Sequence, residues 1–272
     1  MMERVGFIGS GNITAAIIGG IINSGFLKPK NINVSSLHKS SAASMSARYG
    51  VTLMGDNIEL VKNSDLVVLS VKPNTYAGVI KKIKNHIKDD TLIVTVAAGI
   101  TIDFVKNHFE REVKVIRTMP NTPAMVGEGM TAITYNPPVT EEEADFVKGM
   151  FESCGMVEVI EEEALMDVVT SLGSSSPAFV DILIEAMADA AVLSGLPRAI
   201  SYRMAAQAVK GSARMLMETG KHPGELKDMV CSPGGTAIEG VRVLEEKGMR
   251  NAMIEAVIAT AEKAKLLGEK YK

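Results

Sequence analysis

The sequence predicts an α/β chain in two parts, a doubly wound, mostly parallel sheet over residues 1–161 followed by an all-helical domain over residues 162–272. Three observations lead there. Short, continuous apolar runs alternate with amphipathic stretches through the first 160 residues, the pattern of parallel strands covered on both faces by helices. From Glu161 onward no strand-like run recurs, only helical patterns punctuated by Gly and Pro. A Gly-x-Gly turn, Gly9–Gly11, also joins the first apolar run to the first amphipathic stretch.

The expected strands are Arg4–Gly9 (RVGFIG), Asn31–Leu37 (NINVSSL), Asp65–Val71 (DLVVLSV), Thr91–Gly99 (TLIVTVAAG), Val113–Met119 (VKVIRTM) and Thr131–Tyr135 (TAITY). Helical spacing links them over Asn12–Ser24, Ser40–Tyr49, Asn74–Lys84 and Ile102–Phe109. Strand–helix–strand repetition of this kind builds a sheet whose ligand lies beyond the carboxyl ends of the strands. In the second part, the breaks SLGSSSP, SGLP, TGKHPG, CSPGG and EKG divide the chain into helices. The helix Ala178–Ser194 is apolar over more than half its circumference, and Asp181, Glu185 and Asp189 form one polar stripe with no His or Cys beside it. That stripe reads as a solvated face and not as a metal site. About 110 residues of Ala-, Met- and Leu-rich helix cannot hide so much apolar surface within one chain, so an interlocked homodimer through this half is expected.

Composition narrows the function. The 272 residues are 46% hydrophobic and 22% charged with a formal net charge of −3, which excludes a disordered chain and offers no basic footprint for nucleic acid. No apolar run reaches the roughly 20 residues of a membrane span. Two cysteines, Cys154 and Cys231, form no ligand or disulfide pattern, as expected in a reducing cytoplasm. With 17 Met, no Trp, 5 Tyr and 7 Phe, the cores must be aliphatic and thioether.

The turn after the first strand carries the chemistry. Gly9 permits a tight bend, and Gly11 lets backbone amides approach a pyrophosphate at a helix N-terminus. The third small position of such fingerprints is Thr14 here. An NAD site usually places an acid at the end of the second strand to hold the ribose hydroxyls. No Asp or Glu occurs from Asn31 to Gly55, where Ser35, Ser36, Leu37, His38, Lys39 and Ser40 stand instead. Hydroxyls and a cation suit a 2′-phosphate, favouring NADPH, with NADH as the other option. After the later strand ending at Met119, Pro120 and Pro123 stiffen a loop in which Asn121 is a short polar arm.

These residues sit within longer blocks: GFIGSGN (Gly6–Asn12), DLVVLSVKP (Asp65–Pro73), AAGI (Ala97–Ile100), RTMPNTPAMVGEG (Arg117–Gly129), SGLPR (Ser194–Arg198) and HPGELKDMVCSPGG (His222–Gly235). Together they resemble the pyrroline-5-carboxylate reductase family, nearly end to end. The resemblance implies a Rossmann-type domain and a helical dimerisation domain, with a pentamer of dimers as a further assembly. It implies reduction of 1-pyrroline-5-carboxylate, a small cyclic imino acid, to L-proline by NADPH. It assigns Ile8, Gly9, Ser10, Gly11, Asn12 and Ile13 to the pyrophosphate and Ser36 to the adenosine ribose or its phosphate. Asn57, Val71, Lys72, Pro73, Ala97, Ala98 and Gly99 would line the rest of the cleft, and Met119 and Pro120 would border the nicotinamide. The substrate loop would comprise Ser232, Gly234, Gly235, Thr236 and Ala237, with the amides of Gly234, Gly235 and Thr236 free to hold a carboxylate at a helix N-terminus.

Two departures stand out. The family usually carries Thr where this chain has Ala237, and Thr236, one residue earlier, is rotated by about 100° on a helix. The usual Ser-Gly-Ser-Gly-Pro-Ala-Tyr segment is Gly173–Phe179 (GSSSPAF) here, placing Ser174 and Ser176 where glycines are usual, with hydroxyls that either point at the site or cap the long helix. Ser176, directly before Pro177, reads as the cap of the long helix. These departures keep two other readings open, a paralogue acting on another cyclic imino acid and a nucleotide-binding regulatory protein without turnover. A 3-hydroxyacid dehydrogenase would need a catalytic Lys in the Ala178–Ser194 helix, which has none.

Overall fold

The structure, a computed structural model, describes residues 2–270. Its strands are β1 (Val5–Ile8), β2 (Ile32–Ser35), β3 (Thr52–Leu53), β4 (Leu66–Leu69), β5 (Leu92–Thr95), β6 (Lys114–Met119), β7 (Gly129–Tyr135) and β8 (Gly155–Val159). Helices α1 (Asn12–Asn23), α2 (Lys39–Tyr49), α3 (Asn57–Lys62), α4 (Tyr76–Ile83), α5 (Ile102–Phe109) and α6 (Glu141–Glu152) are interleaved with them. There follow α7 (Met166–Val169), α8 (Ser176–Leu193), α9 (Arg198–Thr219), α10 (Pro223–Val230), α11 (Thr236–Glu246) and α12 (Met249–Glu269).

All eight strands form one sheet in the order β3-β2-β1-β4-β5-β6-β7-β8, parallel except for the antiparallel β6–β7 pair. This is the Rossmann order, reversing direction at the β1–β4 junction. Side-chain alternation divides the core as a pleat requires. Phe7, Val68 and Val94 pack with Ile17, Ile21, Val147 and Phe151 in one cluster, whereas Ile8, Leu69 and Ile93 pack with Ile80, Phe104 and Val105 in another. The continuous apolar runs of the sequence are these strands, buried on both faces.

Sequence patterning missed four elements: β3, α3, α6 and β8. The β8 edge strand leaves Met156 and Val159 exposed, so its run Gly155–Val159 has no buried face to advertise. A second difference concerns the break expected at SLGSSSP. The chain stays helical there, residues Thr170–Ser175 forming a π-helical turn between α7 and α8. Ser176 is therefore no cap, and Pro177 lies inside a helix. Pro177 has no N–H to offer the carbonyl four residues back and its ring crowds that carbonyl; a local widening to π geometry relieves both.

The chain divides into two compact units, one running to Ser175 and resuming at Ala259, the other spanning Ser176–Ile258. The second is all helix, as the punctuation implied. Within it only Ala188, Ser201 and Ala205 are buried. Leu193 is 90% exposed, and Ile182, Met204, Met217, Met229 and Val230 are each more than half exposed. Asp181, Glu185 and Asp189 are exposed, Asp189 pairs with Arg198, and no metal-binding cluster occurs among the described residues. No helix there is long and apolar enough to cross a membrane.

Candidate functional site

Because β1, β2, β4, β5 and β6 are parallel neighbours, their carboxyl ends lie along one edge of the sheet. That edge gathers every residue of the expected cofactor cleft. Gly9 follows β1 with φ of +120°, a conformation open to glycine. A Cβ there would lie 2.5 Å from the Ser70 carbonyl oxygen, and the Gly9 N–H donates to Ser35 O at 2.8 Å. Gly11 then caps α1 without a side-chain bond, and no acid occupies the first turn. The space over Gly11 is open to 4 Å. The result is an uncapped helix N-terminus, with Asn12 and Ile13 in its first turn, beside a bend that brings backbone to the surface. Thr14, out of pattern in the sequence, is fully buried and donates to Ser70 Oγ at 2.8 Å, while Ser70 Oγ donates to Ile8 O at 3.1 Å. The larger residue thus ties α1 to the end of β4.

At the end of β2, Ser10 donates to Ser36 Oγ at 2.8 Å, and the His38 amide donates to the same oxygen at 3.2 Å. Ser35 donates to Asn57 Oδ1 at 2.8 Å, bringing Asn57 to this edge. Leu37, His38 and Lys39 are exposed at the start of α2, whose first turn holds no acid. Positive potential from Lys39 and the helix terminus is left uncompensated there.

Val71, Lys72 and Pro73 follow β4, and Ala97, Ala98 and Gly99 follow β5. Tyr76 joins the two strand ends from beneath. Its buried hydroxyl donates to Leu69 O and accepts from the Val96 amide at 3.4 Å. Burial pushes that phenol well above its ordinary range. Gly99, with φ of +76°, packs against the backbone of Gly268, which a Cβ would approach to 3.0 Å. A hollow of about 970 Å³ beside Gly99 is lined by Asp103, Arg117, Glu163, Asp167 and Lys265 among others. It shares only Gly99 with the cleft residues and lies away from the Gly9–Gly11 bend.

The end of β6 holds contacts that sequence reasoning missed. Arg117, 4% exposed, reaches Glu163 Oε1 at 3.0 Å and Asp167 Oδ1 at 3.4 Å. Glu163 Oε1 also accepts from the Ile102 amide at 2.9 Å. Beyond Met119 and Pro120, Asn121 is nearly buried. Its Nδ2 donates to Gly173 O at 2.8 Å and its Oδ1 accepts from the Met130 amide at 2.9 Å. In return, Ser174 Oγ donates to Pro120 O at 3.0 Å. The sequence showed the Asn121 arm and the Ser174 hydroxyl but named a partner for neither.

In the second unit, Cys231–Gly235 links α10 to α11. Gly234 has φ of +68° and Gly235 is the cap residue of α11, with no side-chain cap bond. One expectation needs correction. The Gly235 amide is not free, because it donates to Ser232 O at 3.0 Å and closes the Ser-Pro-Gly-Gly turn. The turn still presents the uncapped first-turn amides of α11, at Thr236 and Ala237. Thr236 is exposed and Ala237 half-buried. His222 caps α10 by accepting from the Gly224 amide at 3.1 Å. Cys154 is buried, which raises its thiol to about 11.

Two family models match parts of this chain. Residues 4–99 match the family described as NADP oxidoreductase coenzyme F420-dependent, and residues 163–267 match pyrroline-5-carboxylate reductase dimerisation. The pyrroline-5-carboxylate reductase of Escherichia coli K12 is 46% identical over 269 residues, covering 99% of this chain and 100% of that protein. That of Methanosarcina acetivorans is 40% identical, covering 98% and 99%. Among solved structures, a pyrroline-5-carboxylate reductase from Coxiella burnetii superposes with a TM-score of 0.92 at 29% identity, over 98% of this chain and 99% of that one. The Plasmodium falciparum enzyme with NADP bound gives 0.89 at 31% identity, over 98% and 100%. With its bend at Gly9, its open amides at Gly11 and its Ser-Pro-Gly-Gly turn set in a sequence alike from end to end, this chain belongs to the pyrroline-5-carboxylate reductase family.

Proposed function

We propose that the protein reduces 1-pyrroline-5-carboxylate to L-proline with NADPH, acting as a homodimer in the cytoplasm. The observation that carries the reading is the sheet edge at Gly9–Asn12, an uncapped helix N-terminus behind a glycine bend whose Cβ position is filled by the Ser70 carbonyl. This matches what a pyrophosphate needs, backbone approach and oriented N–H groups. Ser36 and Lys39, with no acid in the first turn of α2, suit a 2′-phosphate better than a bare ribose.

When bound, NADPH supplies a hydride to the imine carbon. The chain's own work is orientation and exclusion of water. The loop from Met119 to Pro123 bounds the nicotinamide side of the cleft, held by Asn121. The first-turn amides of α11 at Thr236 and Ala237, after the Ser232–Gly235 turn, hold the substrate carboxylate without a buried cation. With the ring nitrogen already protonated, the imine carbon takes the hydride and the C=N electron pair moves to nitrogen to give the amine, so no strong base is needed on the protein.

Dimerisation is supported by the second unit's lack of a core: three buried residues cannot stabilise five helices. A second copy covering Leu193, Met204 and Met217 supplies the missing apolar contact, and assembly of five dimers into a decamer extends the same logic. Ala237 favours one further reading, a related cyclic imino acid as substrate, because the side chain there has no hydroxyl for an imine nitrogen. Both are tested by following NADPH and NADH oxidation with five- and six-membered cyclic imino acids. The reading requires fastest turnover of the five-membered ring with NADPH. Faster turnover of another ring replaces it with the paralogue, and NADPH binding without any turnover replaces it with a regulatory role.

A further inference from the structure

The contacts at the end of β6 form a reciprocal pair whose two halves have different origins. Pro177 cannot donate to the Gly173 carbonyl, the helix widens over Thr170–Ser175, and Asn121 Nδ2 donates to that carbonyl at 2.8 Å. The same widened turn carries Ser174, whose hydroxyl donates to Pro120 O at 3.0 Å. A side chain of the loop holds the backbone of the turn, and a side chain of the turn holds the backbone of the loop. Two opposed bonds fix both separation and rotation, as in the reciprocal bonding of a capping box. Both segments are anchored on either side: Asn121 also receives the Met130 amide, and Arg117 on β6 ties Glu163 and Asp167 ahead of the turn. Pro120 and Pro123 limit how the loop can yield, so a pull on the Pro120 carbonyl shifts the loop as a unit.

Granted the proposed reduction, in which this loop bounds the nicotinamide, we propose that Ser174 is a positioning residue for hydride transfer. Its hydroxyl sets the Met119–Asn121 backbone through Pro120. Affinity for NADPH is set at the other end of the cleft, around Gly9–Ile13 and Ser36. Ser174 therefore acts on the orientation of the ring and little on binding.

The test compares wild type, Ser174→Ala and Ser174→Thr as full-length proteins. Each is assayed for kcat with the imine, for the NADPH dissociation constant by cofactor fluorescence, and for the isotope effect with NADPH deuterated at nicotinamide C4. The loss of one neutral hydrogen bond predicts a kcat about three- to tenfold lower in Ser174→Ala, a dissociation constant changed less than twofold, and a larger isotope effect. Ser174→Thr, which keeps the hydroxyl, restores kcat and the isotope effect toward wild type. An unchanged kcat and isotope effect in Ser174→Ala overturns the inference. So does a loss that appears only in NADPH affinity, or one that Thr does not reverse at all. A wild type unable to reduce any cyclic imine overturns the proposed function itself, a result read before any Ser174 variant is made.

Discussion

Two glycines two residues apart are expected to fail in opposite ways when changed to alanine. At Gly9, φ is +120° and the new Cβ would stand 2.5 Å from the Ser70 carbonyl oxygen and 2.8 Å from its carbon. The oxygen contact lies roughly 0.8 Å inside the shortest ordinary carbon–oxygen approach. An alanine in such a conformation costs about 1–3 kcal/mol. Moving the bend to relieve the contact also strains the 2.8 Å bond from the Gly9 amide to Ser35 O, about 0.5–1.5 kcal/mol more. A relaxed bend is no longer the one that receives the pyrophosphate, so a combined cost of about 2–4 kcal/mol weakens NADPH roughly 30- to 1,000-fold. At Gly11, φ is −80° and nothing lies within 4 Å of the added methyl. Gly11→Ala should melt within about 0.5 kcal/mol of wild type. Its methyl instead intrudes where a ligand must approach the backbone, costing about 1–3 kcal/mol of binding. Thermal melts with and without NADPH, together with calorimetric titration, separate the cases. Gly9→Ala loses stability and binding together, whereas Gly11→Ala loses binding alone. Wild-type NADPH affinity in Gly11→Ala would refute the placement of the pyrophosphate at this turn.

Other perturbations follow from single contacts. Tyr76→Phe leaves the Leu69 carbonyl and the Val96 amide without their shared hydroxyl, and urea titration should show about 1–3 kcal/mol of lost stability. Burial raises the Asp65 carboxyl, but Lys88 at 2.8 Å and the amides of Glu3 and Arg4 outweigh it and leave it below its ordinary 3.8. Its stabilising effect is complete above that value and fades as pH falls through the depressed one. Urea midpoints of wild type and Asp65→Asn should accordingly converge as pH drops below about 4. Cys154, raised to about 11 by burial, stays a thiol at pH 8, so mass spectrometry should find it unalkylated in the folded protein. Ala237→Thr, assayed by NADPH oxidation, should preserve imine turnover or raise it by up to about tenfold, the equivalent of one added neutral hydrogen bond; a severe loss would show that the local packing has diverged from the family.

Much of this protein is determined by its sequence alone. Strands buried on both faces leave continuous apolar runs, so β1, β2, β4, β5 and β6 could be read from composition along the chain. Neighbouring parallel strands expose their carboxyl termini together, so the edge at which a ligand is expected was legible too; the individual residues proposed for the cleft came from the family resemblance. The glycine bend and the missing acid after β2 are local chemistry and equally legible. The exposed β8 edge, lacking a buried face, left no such trace. Only tertiary structure decided the rest. Gly173–Pro177 reads as a break because five small or ring-constrained residues disfavour a helix locally. It stays helical as a π turn whose Gly173 carbonyl accepts from Asn121, 52 positions earlier. The closure of the Gly235 amide onto Ser232 and the burial of the Thr14 hydroxyl against Ser70 are likewise properties of partners brought together in space. A hydrogen bond belongs to two residues at once, and the sequence of either segment names only one of them.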